Sequence, residues 1–214
     1  MVTVRQIERL WSSKSYDRLF HHMVAARPER LYRPEPQSAR ATLAAAMAVI
    51  RLDELAQTHV PLYSKLLHAT LTAQEADGGW GDPAVTALCV RALLCSHGQG
   101  LAVDRGISYL ASLQKAEGIW PSVPLRRMPA DALSSAFILA QLGNDPVFRQ
   151  SVRLADAIAW FAAHADELDE PTRELWECAS LRCQRRPVPG LSAGGRARSI
   201  SGPVQKQVVP LVLT

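Results

Sequence analysis

A chain of 214 residues, 48% of them hydrophobic, is long enough to bury one sizeable core without disulfide or metal staples. Its formal charge of +4 is unevenly spread, because the stretch from Arg182 onward holds six basic residues and no acidic one. The rest of the chain is left at about −2, which excludes a basic nucleic-acid-binding body.

Taken in chain order, Val4 to Ala26 reads as helical, with a break at Ser12-Ser13. Ser38 to about Ala56 forms the next helix, with Leu43, Met47 and Ile50 in register. Glu54 occupies the following position on that face, so the apolar stripe is expected to end before the helix does. Pro61 starts a helix through Leu62, Leu66 and Leu67 to Gln74. Asp82-Pro83 then combines a side-chain cap with a residue suited to the first helical position. Val85, Leu88, Cys89, Ala92 and Leu93 line one face of that helix, and Gly98 is its expected stop. Val103, Ile107, Leu110 and Ala111 mark a helix ending near Gln114. Asp131 to Leu142 follows, with Gly143 as its stop. Asp145-Pro146 repeats the capping pair and predicts one long helix towards His164. Asp169 to Pro171 opens the last, through Leu175, Trp176 and Ala179. No alternating apolar/polar run before residue 185 argues for a sheet.

This pattern divides the chain into a helical-repeat domain over residues 1–184 and a tail over 185–214. The tail is rich in Arg, Pro and Gly and is expected to be disordered. No stretch is long and apolar enough to span a membrane. The first turns carry Arg5, Glu8 and Arg9 in place of an apolar signal core, so export is not expected. Cys89, Cys95, Cys178 and Cys183 show no ligand spacing and read as free thiols in a reducing, cytoplasmic setting. The side chains of His21 and His22 diverge by a helical step, and no metal or cofactor is expected.

The strongest internal signal is a repeat. QEADGGWGDP begins at Gln74 and QKAEGIWPSV at Gln114, so Gln, Ala, an acid, Gly and Trp recur 40 residues apart. Such a period on helical segments marks stacked helix pairs. Each copy joins the end of one helix to the start of the next. Gly78 and Gly118 allow the positive φ that ends a helix. Asp77 and Glu117 can accept N–H bonds from the turn or from a neighbouring helix. Trp80 and Trp120 each offer a flat face for the Gln amide and an indole N–H for a carbonyl. The second copy lacks the second Gly and runs into Pro121, which predicts the weaker staple.

The string QEADGGWGDP and the helix AVTALCVRALL after it resemble the QW motif of squalene–hopene cyclases and related class II terpene cyclases. AVDRGISYLASLQKAEGIWP is similar to a second, more degenerate copy. The resemblance at motif level covers residues 60–143. It implies an all-α fold of stacked helix pairs, closed into the α/α toroid shared with protein prenyltransferase β subunits or left as an open arc of one. It also implies structural roles for Gln74, Asp77, Gly78, Trp80, Gln114, Glu117, Gly118 and Trp120.

In class II cyclases, protonation of an alkene or epoxide falls to the central Asp of a DxDD motif. Asp131 matches that central residue, but Pro129 and Ala132 replace its carboxylate neighbours. Alkene protonation demands a strong acid made so by its surroundings. A lone Asp131 beside Arg126 and Arg127 reads better as a helix cap. The chain has only thirteen aromatic residues for stabilising carbocations, and two of its five Trp belong to the junctions. No Asp-x-Cys with a downstream His presents the prenyltransferase zinc site.

The expected function is therefore a non-catalytic helical-repeat protein whose concave face binds a protein partner or an isoprenoid or other hydrophobic ligand. The alternative is a terpene cyclase, or a fragment of one, with Asp131 as general acid and a second copy completing the toroid.

Overall fold

The structure is a computed structural model and describes residues 37–96, 100–124 and 129–184. The expected helix from Val4 to Ala26, the stop at Gly98 and the tail after residue 184 lie outside the described residues.

The described residues form eight α-helices: α1 (Gln37–Glu54), α2 (Pro61–Thr72), α3 (Pro83–Leu94), α4 (Gly100–Leu113), α5 (Ala132–Leu142), α6 (Pro146–Ser151), α7 (Leu154–Ala163) and α8 (Glu170–Gln184). A 3-10 turn, Ala165–Glu167, links α7 to α8. The only sheet-like feature among these residues is the isolated antiparallel bridge between Pro121 and Ala130. The protein is all-α over this region.

Proline stands at the start of α2, α3 and α6, where its missing N–H costs nothing. Aspartates cap α3, α5 and α6: Asp82, Asp131 and Asp145 each accept from the backbone N–H three residues on, at 2.7–2.8 Å. The helices pack in two rows. α3 lies between α1 and α5, and α5 packs against α8. α2 covers α1 and touches α3, α4 covers α3, and α6 packs on α4. Ten residues of α3 and nine of α5 are buried, as required of helices enclosed on nearly every side. The core is one continuous cluster running from Ala46 on α1 to Cys183 on α8.

Two expectations need correction. α1 stops at Glu54, where its apolar stripe ends, and does not reach Ala56. Ala56 instead adopts φ 55°, with Gln57 N donating to Leu52 O at 2.8 Å and Ala56 N to Asp53 O at 2.9 Å. This pair of bonds is the Schellman arrangement, built here on Ala where Gly is usual.

The expected long helix from Asp145 to His164 is two helices. Val152 is extended and Arg153 stands at the N-cap position of α7, its N–H donating to Gln114 Oε1 at 2.8 Å in place of a helical carbonyl. Gly143 does end α5, but with helical φ −59°. Its role is close approach, since a Cβ there would lie 2.7 Å from Cys183 Sγ.

No described helix is long and apolar enough to cross a membrane.

Candidate functional site

The two Gln-to-Trp junctions share the same turn bonds and the same Gln and Trp anchors. After α2, Glu75 N donates to Gly79 O at 2.9 Å and Gly78 N to Glu75 O at 3.0 Å. After α4, Lys115 N donates to Ile119 O and Gly118 N to Lys115 O, both at 2.9 Å. Gly78 and Gly118 both lie at positive φ, 93° and 87°. A side chain at either would also meet backbone. Its Cβ would be 2.8 Å from Arg105 O at the first junction and 2.5 Å from Ala157 N at the second. Both positions therefore demand glycine on two counts.

The Gln amides bind backbone. Gln74 Nε2 donates to Gly78 O at 3.0 Å and to Ala102 O of α4 at 2.9 Å. Gln114 Nε2 donates to Gly118 O at 2.6 Å and to Arg153 O at 3.2 Å, while its Oε1 accepts from Arg153 N at 2.8 Å. Each Gln thus closes its own turn and grips the first part of a later helix.

The tryptophans work in parallel. Trp80 Nε1 donates to Thr70 O at 2.7 Å, and Trp120 Nε1 to Leu110 O at 2.8 Å. Each indole returns to the helix ten residues back and satisfies a carbonyl near its end. The backbone N–H of Trp80 donates to Thr86 Oγ1 on α3, and that of Trp120 to Ser135 Oγ on α5. Trp120 is wholly buried and stacks on Phe148 with ring centroids 6.1 Å apart. The second junction is therefore no looser in its packing than the first, contrary to the expectation from Pro121.

The acids differ. Asp77 Oδ1 accepts from Gly79 N at 2.9 Å, tightening the turn, whereas Glu117 extends into solvent. Near the first junction Tyr109 OH donates to Gly81 O at 2.6 Å. Burial raises this phenol well above the usual tyrosine range, and nearby Asp77, Asp82 and Glu75 add to the rise. It is a structural hydroxyl, held as a donor.

Asp131 sits immediately before α5, half-buried. Its Oδ1 accepts from Ser134 N at 2.7 Å, its N donates to Trp120 O at 2.8 Å, and its O accepts from Ser135 Oγ at 2.6 Å. All three bonds belong to the capping of α5 and its tie to Trp120. Pro129 and Ala132 supply no carboxylate beside it, and Arg126 and Arg127 lie outside the described residues.

Two arginines complete the junctions without any signal in the repeat. Arg105 donates to Glu75 O and Ala76 O, both at 3.0 Å. Arg153 donates to Gln114 O at 3.4 Å and to Lys115 O. They fill one role from positions that do not align at the 40-residue offset, so the sequence repeat hides them. The hydroxyls were more legible. Thr86 and Ser135 each lie four residues after a capping Asp, but at an offset of 49, because nine extra residues precede Asp131.

The four cysteines are free. Burial pushes the Cys89 thiol far above its ordinary value and raises Cys95 and Cys183 to about 11, so none of these three is primed as a thiolate nucleophile. Among the described residues no group of three or more His, Cys, Asp or Glu side chains is placed to hold a metal ion.

Comparison with family models, curated proteins and solved structures gave no match for this chain.

Proposed function

We propose that this protein is a non-catalytic helical-repeat module of the QW type, an open arc of paired helices whose concave face receives a protein partner or a hydrophobic ligand such as an isoprenoid. The observation that carries this reading is the engagement of Asp131. Its carboxylate performs for α5 what Asp82 performs for α3, so the one residue that matches a class II cyclase acid is a repeat cap. A general acid for alkene protonation must present its carboxyl to the substrate, whereas Asp131 Oδ1 is engaged as the acceptor of the Ser134 N–H. The like construction of the two junctions supports the resemblance to QW proteins at the level of architecture.

The test is incubation of the pure full-length protein with squalene and with linear prenyl diphosphates, followed by mass spectrometry of the extracts. No cyclic product is expected. A cyclic product that disappears in Asp131→Asn would overturn the proposal and make Asp131 the general acid of a terpene cyclase or of a fragment completed by a second copy.

A further inference from the structure

We draw no further inference here: the strongest candidate, the acidic surface of α8 formed by Glu170, Glu174 and Glu177 near the half-buried Trp160 and Trp176, is a charged helix face with nothing in the structure to show what covers it.

Discussion

Asp82 and Asp131 occupy the same place in successive helix pairs. Asp82 Oδ1 accepts from Val85 N at 2.8 Å and Asp131 Oδ1 from Ser134 N at 2.7 Å. Four residues further on, Thr86 and Ser135 each receive the N–H of the preceding junction tryptophan. The two aspartates should therefore respond alike to substitution. Replacing either with Ala should cost about 1 kcal/mol, the usual loss for an N-cap, and replacing either with Asn should cost little. Urea denaturation of the four variants checks this. A loss at Asp131→Asn much greater than at Asp82→Asn would show that Asp131 does something its counterpart does not.

Trp80→Ala and Trp120→Ala should each destabilise by about 3–5 kcal/mol, the range for removing a large buried aromatic. Trp120 should lie at the upper end, because it is fully buried and also loses its stack on Phe148. Thermal melts decide the order. A clearly smaller loss at Trp120 would restore the reading of its junction as the weaker staple.

Gln114 satisfies the Arg153 peptide on both its N–H and its C=O. Gln114→Ala should therefore loosen the start of α7 at a cost of about 0.5–1.5 kcal/mol, the net worth of a hydrogen bond near the surface. Hydrogen exchange should accelerate at Arg153 and through the first turn of α7, with α3 little changed. Uniform acceleration across all helices would mean that the break at Val152 does not depend on this side chain.

Ala56→Gly should stabilise the protein. Ala56 holds φ 55° in the Schellman turn after α1, a conformation that costs a residue with a Cβ about 1 kcal/mol. Glycine removes that strain and gives back part of the gain as unfolded-state entropy. A net increase of about 0.5 kcal/mol is expected in denaturant midpoints.

Asp145 caps α6 from a partly buried site. Burial raises its pKa, backbone bonds from Phe148 and Val147 oppose the rise, and nearby Asp104 adds to it. The raised value means that the folded state holds this proton more tightly than the unfolded chain. The resulting stability is present below the ordinary aspartate range and is lost as pH rises through the folded value. Asp145→Asn retains a capping oxygen and does not titrate. Its stability relative to wild type should therefore improve as pH rises across that window, which urea midpoints measured at successive pH values would detect. A relative stability that stays flat or falls would mean that burial does not penalise the carboxylate.

The sequence by itself determined the helices and the existence of the repeat. Apolar periodicity, Asp-Pro starts and the recurring Gln, Gly and Trp are local signals, and they located α2, α3, α4, α5 and α8 to within a few residues. The capping role of Asp131 was legible for the same reason, since a cap and the N–H it serves are three residues apart. Tertiary structure decided the rest. The break at Val152 carries neither Pro nor Gly, because its cause is a side chain 39 residues away. Arg105 and Arg153 reach one equivalent carbonyl, Glu75 O and Lys115 O, from unequal positions, and only the approach of one helix to the turn after another brings them there. Contacts made across the fold leave no period in the chain, because what selects them is the distance between atoms in space.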